Sequence, residues 1–243
     1  MNTNESIEQM KQLNLHGMVA YYQSQLSLPV HQQLQGNDLI AQLLQAEHTE
    51  RVNHRTGRYL KTARLRQPAI PELVECSAAR NLTKQQFALL LEGDYIEKGQ
   101  HVLITGATGC GKSYVACALA HQACAMGYRT LYFNMNRFAE DVHMSKIENN
   151  YRQLLDKYQR FPVIVIDDLG LKNMDEVTRV AFYQIIEDRY GKGVLIITSQ
   201  LPVQNWYDMI GEPTLADAIC DRLTSKAHRI ELKGESRRRD LKQ

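Results

Sequence analysis

Eight positions between residues 106 and 113 have the spacing of a loop that binds phosphate. They read G-x-x-x-x-G-K-S, with Gly106, Gly111, Lys112 and Ser113 at the fixed positions. Glycines let successive backbone N–H groups turn toward one anion, and a helix that begins near Lys112 adds the positive end of its dipole. The lysine of such a loop reaches the β and γ phosphates of a nucleotide, and the serine hydroxyl can bind Mg²⁺. The spacing therefore predicts a site for a nucleoside triphosphate.

The residues on either side of the loop supply the context that this motif requires. A short apolar strand, Val102–Thr105, precedes it and a helix follows it to about Met126, which disfavours a glycine-rich turn that binds nothing. We expect the loop and the first turn of the helix to contact the nucleotide. These positions are Gly106, Ala107, Thr108, Gly109, Cys110, Gly111, Lys112, Ser113 and Tyr114.

Two acidic residues follow a second apolar run, Val163–Ile166. A continuous run of this kind is typical of a strand buried on both faces of a parallel sheet. We expect Asp167, at the tip of the strand, to hold Mg²⁺ through water, with Ser113 as the other protein ligand. Asp168 is expected to orient or deprotonate the attacking water. Alone, an acidic pair after a strand is more often a cap or a turn, and the upstream loop is what favours the metal.

Two further positions have alternatives that the residues leave open. Ser199 and Gln200 end another apolar strand, where either ordinary capping or a contact to the γ-phosphate and its attacking water is consistent with them, Gln200 being favoured over Ser199. Arg222 could stabilise the γ-phosphate charge in a neighbouring subunit's site. From spacing alone, a surface ion pair of Arg222 with Asp217 or Asp221 is the better interpretation.

The elements that must position these residues alternate between strands and helices. That alternation predicts a doubly wound α/β fold with five parallel strands. The predicted strands span residues 102–105, 129–133, 162–167, 193–198 and 228–232. Only about ten residues follow the last of them, so we expect no C-terminal lid domain.

The first part of the chain has helical rather than alternating periodicity. Apolar residues recur at helical spacing from about 5 to 28 and again from 37 to about 66, and prolines follow. We expect residues 1–70 to form a small all-helical domain that contacts a partner, DNA or both. Residues 71–243 then form the nucleotide-binding domain.

The second predicted helix has a basic face. Arg51, Arg55, Arg58 and Arg66 project from one side, and Glu50 is the one acid near them. The face is either a solvated helix surface or a contact for the phosphate backbone of nucleic acid. We name Arg51, Arg55 and Arg58 as candidate DNA contacts.

Composition bounds the class of protein. The chain has 243 residues and a formal net charge of +2, which by itself does not indicate nucleic acid. Its five cysteines form no Cys-x-x-Cys pair, so a disulfide framework and structural zinc are both disfavoured and free thiols in the cytoplasm are expected. There is no secretory-signal pattern, and no apolar run is long enough to span a bilayer, so no membrane partner is expected.

Four segments taken together resemble the IstB/DnaC-like AAA+ ATPases. They are Ile104–Ser113, Val163–Gly170, Ile197–Pro202 and Asp221–Ser236. The segment Leu13–Met18 and the helix that carries Glu47, Arg51 and Arg55 resemble the IstB branch, the helper ATPases of insertion-sequence transposition. The resemblance covers nearly the whole chain.

This resemblance implies roles that periodicity does not supply. It implies an AAA+ core in which Asp167 and Asp168 are the Walker B pair and Ser199–Gln200 is sensor 1. It implies that Arg222 acts in trans as an arginine finger. It further implies ATP and Mg²⁺ as ligands and homo-oligomers joined through ATP at subunit interfaces on double-stranded DNA. The resemblance implies a transposase as partner. The ATPase would select the DNA target and stimulate the transposase.

The resemblance also implies that the helical insertion at about 137–160 faces DNA, with Arg137, Lys146 and Arg152 as candidate contacts. The sequence departs from the family pattern at Asp168, where glutamate is commoner. The shorter side chain leads us to expect slow hydrolysis, stimulated by assembly, DNA or partner. Gln200 likewise stands where asparagine is commoner.

Three other functions compete with a transposition ATPase. A replicative helicase loader of the DnaC type would prefer single-stranded DNA and a helicase partner. A P-loop kinase for a small molecule is disfavoured by the lack of an evident substrate lid and by the basic N-terminal helix. A nucleotide-binding scaffold without turnover is the third alternative, in which the aspartate at position 168 does not support hydrolysis.

Overall fold

Five parallel strands form the sheet that carries the glycine-rich loop. The computed structural model describes residues 3–236 and gives the strand order β2-β3-β4-β1-β5, with every neighbouring pair parallel. The strands are β1 (Val102–Gly106), β2 (Thr130–Asn134), β3 (Val163–Leu169), β4 (Val194–Ser199) and β5 (His228–Leu232). The predicted α/β fold with five parallel strands is confirmed.

Eleven α-helices occur within residues 3–236. They are α1 (Thr3–Gln12), α2 (His16–Leu26), α3 (Gly36–Ala63), α4 (Lys84–Leu91), α5 (Asp94–Glu97), α6 (Lys112–Ala125), α7 (Met135–Ile147), α8 (Tyr151–Gln159), α9 (Glu176–Arg189), α10 (Trp206–Ile210) and α11 (Pro213–Thr224). The single helix predicted over 5–28 is two helices, because Asn14 adopts a φ of 57° that ends α1. The short α10 was not predicted.

The side chains of the strands alternate between two hydrophobic clusters, one on each face of the sheet. In β3, Ile164 and Ile166 pack on the face that α7, α8, α9 and α11 cover. Val163 and Val165 pack on the opposite face, against α6. Because successive strand residues point to opposite faces, a run that is apolar at every position identifies a strand buried on both sides.

The strand order brings the polar strand ends together at one edge of the sheet. β1 lies between β4 and β5, and β4 also pairs with β3. Parallel strands share one carboxyl edge, where ligands of open α/β sheets bind. The loop after β1, the acids of β3 and the residues after β4 therefore meet there, with Thr105 in register beside Ser199.

The chain divides into two compact units, Met1–Arg58 and Tyr59–Gln243. The division falls inside α3, which is continuous to Ala63, and so lies earlier than the domain boundary at residue 70 that we expected. In the first unit, the buried carboxylate of Glu47 accepts hydrogen bonds from the backbone N–H groups of Gly17, at 2.9 Å, and Met18, at 3.3 Å. This contact ties the N-terminus of α2 to α3.

Beyond β5 the described chain continues only to Ser236. Arg237–Arg239, to which we assigned no role, lie outside the described residues, and the absence of a lid domain stays an expectation. Among residues 3–236, none of the helices has both the length and the apolar character that crossing a bilayer requires.

Candidate nucleotide-binding site

The loop between β1 and α6 is held in a conformation that requires glycine. Gly106 has a φ of 144°, and a Cβ added there would lie 2.2 Å from the carbonyl oxygen of Leu232 in β5. Gly111 has a φ of 95° and immediately precedes α6. L-residues with a side chain rarely adopt such angles. The loop therefore curls against β5 and opens the N-terminus of α6 toward the cavity in front of it.

Lys112 is buried at the base of this loop. Its Nζ donates to the carbonyl oxygens of Gly106 and Ala107, both at 2.8 Å. A lysine ammonium carries three donors, so one N–H is left over after these two bonds. The loop carbonyls thus hold the ammonium in the place from which a lysine of this motif reaches phosphate.

The carboxylate of Asp167 is fully buried and accepts four hydrogen bonds. The hydroxyls of Ser113, at 2.9 Å, Tyr132, at 2.6 Å, and Thr198 donate to it, as does the guanidinium of Arg66. Burial alone would favour the neutral acid, but these donors outweigh it and hold the pKa of Asp167 below its ordinary value. Asp167 is therefore a carboxylate that can take a cation.

Asp168 stands in a β-bulge at the end of β3. The register between β3 and β4 shifts between Ile166 and Leu169, and Asp168 has a φ of 61°. Its backbone N–H donates to the Thr198 hydroxyl at 3.0 Å. Backbone strain of this kind clusters at functional sites, and here it directs the second carboxylate toward the cavity rather than into the sheet.

Arg66 joins the two acids. Its Nη1 lies 3.0 Å from Oδ2 of Asp167 and 3.1 Å from Oδ2 of Asp168. The hydrogen bond to Asp167 is the main cause that raises the pKa of Arg66 above its ordinary value. We had placed Arg66 on the basic helix face, and that was wrong, because α3 ends at Ala63 and Arg64 leaves the helix with a φ of 53°.

A cavity of about 720 Å³ lies in front of the loop. It is lined by loop and helix residues, by Asp168 and Gln200 from the strand ends, and by a segment that precedes α4. These lining residues are Arg66, Gln67, Leu73, Glu75, Arg80, Thr108, Gly109, Gly111, Lys112, Ser113, Tyr114, Asp168 and Gln200. A volume of this size is typical of cavities that hold small molecules.

Arg80, which the sequence did not single out, supports the loop from this segment. The side chain is 7% exposed, and its Nη2 donates to the carbonyl oxygen of Cys110 at 2.8 Å. Its Nη1 donates to the carbonyl oxygen of Glu75. The arginine thus adds a positive charge beside the loop while it fixes the backbone of Cys110.

The three polar residues at the end of β4 bond to different groups. The Thr198 hydroxyl bonds Asp167, and the Ser199 hydroxyl, which is fully buried, donates to the carbonyl oxygen of Leu169 at 2.7 Å. Gln200 lines the cavity, and its Oε1 accepts from the hydroxyl of Thr108 in the loop at 2.8 Å. Of the two residues proposed for phosphate sensing, the structure brings only Gln200 to the cavity.

Arg222 lies away from the cavity of its own chain. Its Nε forms an ion pair with Glu187 of α9 at 2.6 Å, and its guanidinium lies 5.5 Å from the ring centre of Tyr183. The ion-pair partners expected from spacing, Asp217 and Asp221, were therefore wrong. The pair with Glu187 bridges two helices that are distant in sequence.

The candidate DNA contacts have different surroundings. Arg51 forms an ion pair with Glu47 at 2.7 Å, so the expectation that Glu50 was its one acidic neighbour was wrong. Arg137 lines a second cavity, whereas the Lys146 ammonium lies 3.9 Å from the ring centre of Tyr151. Their roles, and those of Arg55, Arg58 and Arg152, stay predictions.

The residues present fit Mg²⁺ that arrives with a nucleotide. Ser113 and Asp167 offer a hydroxyl and an ionised carboxylate 2.9 Å apart beside the loop, and oxygen ligands are what Mg²⁺ prefers. Within residues 3–236, no cluster of three or more His, Cys, Asp or Glu side chains could hold a metal by itself. Phosphate oxygens and water would have to complete the coordination.

Comparison with known proteins identifies the family. The model of the IstB-like ATP binding proteins matches residues 8–243. The chain belongs to this family. A putative insertion sequence ATP-binding protein of Sinorhizobium fredii is 36% identical over 240 residues, which are 99% of this chain and 98% of that protein. The putative ATP-binding protein of insertion sequence IS21 from Pseudomonas aeruginosa is 26% identical over 94% of this chain and 86% of its own length.

Solved structures establish the kind of core. The DnaC helicase loader aligns with a TM-score of 0.55 and 20% identity over 72% of this chain and 99% of that one. The replication initiator DnaA, bound to AMPPCP and single-stranded DNA, aligns with a TM-score of 0.58 and 18% identity over 74% of this chain and 56% of its own. These likenesses show the fold, an AAA+ P-loop core. The family match and the relatives, rather than these structures, identify the chain as an IstB-like ATP binding protein.

Proposed function

We propose that this IstB-like protein is an ATP-dependent switch that assembles on double-stranded DNA and assists a transposase. The observation that carries the proposal is the convergence of Lys112, Ser113 and Asp168 on one cavity beside the glycine-rich loop, with the buried Asp167 hydrogen-bonded to Ser113. A site of this composition grips a triphosphate and places a carboxylate where its terminal phosphate is attacked.

The loop and Lys112 bind the phosphate chain of ATP. Backbone N–H groups of the loop and the N-terminus of α6 face it, and the ammonium of Lys112 neutralises its β and γ charges. Ser113 and Asp167 are the residues that would hold Mg²⁺, which would neutralise further phosphate charge. Binding of ATP is supported by the family, whereas the metal and its ligands are part of the proposal.

Asp168 acts on the attacking water in this scheme. Its carboxylate is at the cavity, and the bulge after Ile166 directs it there. Gln200 is held by Thr108 at the same opening and is placed to sense the γ-phosphate. Because Asp168 is one methylene shorter than the commoner glutamate, we expect slow turnover that rises on assembly.

The site becomes complete only when a second copy of the chain contributes Arg222. Arg222 does not line the cavity of its own chain, yet it is held by Glu187 and is about one quarter exposed at the surface. An arginine supplied in trans stabilises the charge of the transferring phosphoryl group. ATP then holds neighbouring subunits together, and hydrolysis releases them.

The unit formed by residues 1–58 is proposed to contact the transposase. It exposes large apolar side chains that a small unit would otherwise bury, among them Leu13, Val30, Ile40 and Leu44, each more than half exposed. Exposed apolar groups of this kind favour protein contacts.

DNA contact is assigned to basic side chains, so the affinity for DNA should fall steeply with salt concentration. In a cell, the cytoplasm supplies ATP, DNA and partner together.

An assembly experiment tests the proposal. The full chain is mixed with Mg²⁺, a non-hydrolysable ATP analogue and duplex DNA of several hundred base pairs, and particle size is followed by sedimentation and electron microscopy. We expect multimers that need both nucleotide and DNA. Lys112→Ala should abolish them, and Lys192→Ala, which removes an exposed lysine outside the site, should not.

One outcome would refute assembly: a protein that stays monomeric on duplex DNA at low salt with any nucleotide.

A helicase loader of the DnaC type is the second candidate function, supported by the fold it shares with this core. Preference for single-stranded over double-stranded DNA of equal length, with stimulation by a helicase rather than a transposase, would favour it.

A further inference from the structure

The hydroxyl of Tyr132 donates a hydrogen bond of 2.6 Å to Oδ2 of Asp167. Alternation along neighbouring strands brings the two side chains to one face of the sheet. Tyr132 is in register with Val165, and Asp167 follows Val165 by two positions, so all three lie on the face that α6 covers. The ring of Tyr132 is half-buried and packs against the apolar cluster of that face. The sheet therefore fixes where the hydroxyl points.

Within residues 3–236, four donors fill the acceptor positions of Asp167. An ionised carboxylate offers about four lone pairs, two on each oxygen. Oδ1 accepts from the hydroxyls of Ser113 and Thr198. Oδ2 accepts from the hydroxyl of Tyr132 and from the guanidinium of Arg66. Any ligand that approaches this carboxylate must therefore displace one of the four.

The four donors differ in how easily they can leave. Arg66 is 44% exposed and lies beyond the end of α3, whereas the other three belong to β2, β4 and α6. Thr198 is fully buried, and its hydroxyl also accepts from the backbone N–H of Asp168 at 3.0 Å. The position on Oδ2 that Arg66 occupies is therefore the one that opens first.

Tyr132 and Thr198 hold opposite oxygens of Asp167. A carboxylate bound at both ends cannot turn about its own axis, so it cannot present both oxygens to one ion. When Arg66 leaves, Asp167 still has the other three donors and offers a single open position. Without the Tyr132 hydroxyl, Oδ2 would be open at both lone pairs and the carboxylate would be free to turn.

We propose that Tyr132 makes the metal site selective for Mg²⁺ over Ca²⁺. The proposal rests on the proposed function, in which Asp167 serves a metal ion that arrives with ATP. One open position suits Mg²⁺, because this ion keeps several of its waters and binds through one or two carboxylates. Ca²⁺ takes about six to eight oxygen ligands and can bind a carboxylate through both oxygens. The Tyr132 hydroxyl withholds the second oxygen and so acts as a specificity-determining group.

Two tyrosine-to-phenylalanine variants of the full chain test this role. Tyr132→Phe keeps the ring in the apolar cluster and removes only the hydroxyl. Tyr128→Phe is the matched control, because it removes a hydroxyl that bonds the carboxylate of Glu97 at 3.4 Å, away from the nucleotide cavity. Binding of a fluorescent ATP analogue is measured while Mg²⁺ or Ca²⁺ is titrated, and urea unfolding checks that each variant is folded.

The measured quantity is the ratio of the Ca²⁺ to the Mg²⁺ concentration at half-maximal binding. In Tyr132→Phe we expect this ratio to fall roughly tenfold, about the worth of one hydrogen bond to a charged group. The wild-type chain and Tyr128→Phe should share one higher ratio. Thr198→Val, which frees the other oxygen of Asp167, should shift the ratio in the same direction as Tyr132→Phe.

The outcomes separate this inference from the proposed function. If binding depends on the ion but Tyr132→Phe keeps the wild-type ratio, Tyr132 does not set selectivity and the proposed function stands. An equal loss of binding with both ions would make Tyr132 a packing residue and would likewise overturn the inference. If the wild-type chain binds the analogue equally well without any divalent ion, the metal assignment of the proposed function fails too.

Discussion

Arg66 donates from a single nitrogen, Nη1, to Asp167 at 3.0 Å and to Asp168 at 3.1 Å. Under the proposed function, Asp167 holds Mg²⁺ and Asp168 acts on the attacking water. The arginine would then be an internal counterion that Mg²⁺ has to displace, and the apparent Mg²⁺ affinity would include the free energy of that displacement.

Removing this counterion should lower the Mg²⁺ requirement of ATP binding. For Arg66→Gln we expect the Mg²⁺ concentration at half-maximal binding of a fluorescent ATP analogue to fall several-fold, because the guanidinium no longer competes for Asp167. The Arg66 side chain is 44% exposed, so solvent limits the ion pair to about 1 kcal/mol. Arg64→Gln, two residues away, is the control. An unchanged or higher Mg²⁺ requirement in Arg66→Gln would contradict this role.

The two acids should separate into a binding and a catalytic group. Asp168→Asn is expected to keep Mg²⁺-dependent ATP binding and to lose hydrolysis by roughly 10²- to 10⁴-fold, the usual contribution of an acid–base group. Asparagine tolerates the positive φ of this position, so the bulge should persist. Asp167→Asn should instead weaken the Mg²⁺-dependent part of binding. Phosphate release and analogue titration measure the two effects, and retained turnover in Asp168→Asn would exclude it as the group that activates water.

Arg222 can be tested by mixing subunits. Arg222→Ala should bind ATP and assemble but lose hydrolysis by about 10³-fold or more. Mixed with Asp168→Asn, which has a defective site and an intact Arg222, it should regain part of the activity, because some interfaces then combine an intact site with an intact arginine. Glu187→Gln breaks the same ion pair and should stay active. If Glu187→Gln and Arg222→Ala lose activity equally and mixing does not rescue it, the ion pair of Arg222 with Glu187 has only a structural role and Arg222 does not act in trans.

A buried histidine should make the stability of the sheet depend on pH. His101 is 4% exposed, its Nδ1 accepts from the N–H of Leu195 at 3.2 Å, and burial followed by the charge of Arg189 lowers its pKa to about 4. Because an unfolded chain protonates the ring near its ordinary pKa of 6.5, stability is full above that pH and is lost as the pH falls toward 4. From pH 7 to 5 we expect a loss of about 2 kcal/mol.

The single tryptophan reports this transition. Trp206 is fully buried in the larger unit, and its fluorescence during urea unfolding at several pH values gives the free energy of unfolding. In His101→Gln the loss between pH 7 and 5 should shrink by most of that amount. An identical pH dependence in the variant would show that other groups cause it.

Strands and the loop could be predicted because their signals are local. The run Val163–Ile166 is apolar at every position, and the spacing of Gly106 to Ser113 is fixed by the geometry of a phosphate cradle. The ion pair of Glu47 with Arg51 is a local signal of the same kind, since residues four apart share a helix face.

The rest of the site depends on contacts between distant residues. Arg66 meets Asp167 across 101 positions of sequence, and Tyr132 meets it across 35. No local pattern indicates such pairs. The periodicity of α3 even misdirected the interpretation of Arg66, because Arg64 ends the helix without a glycine or proline to mark the place. Spacing also predicts that Arg222 pairs with acids on its own helix, because only local partners can be read from sequence. Its actual partner, Glu187, lies on α9.

The position of β1 inside the sheet governs when the ATP site can form. β1 has β4 on one side and β5 on the other, and Leu232 of β5 packs against Gly106 at the start of the loop. Both neighbours are made by the ribosome long after β1. A nascent chain that lacks residues 228–232 has no β5 beside the loop, so we expect ATP to stabilise the core only after β5 has been synthesised. Fragments that end before β5 should therefore bind ATP weakly, which makes nucleotide binding a late event in the folding of this core.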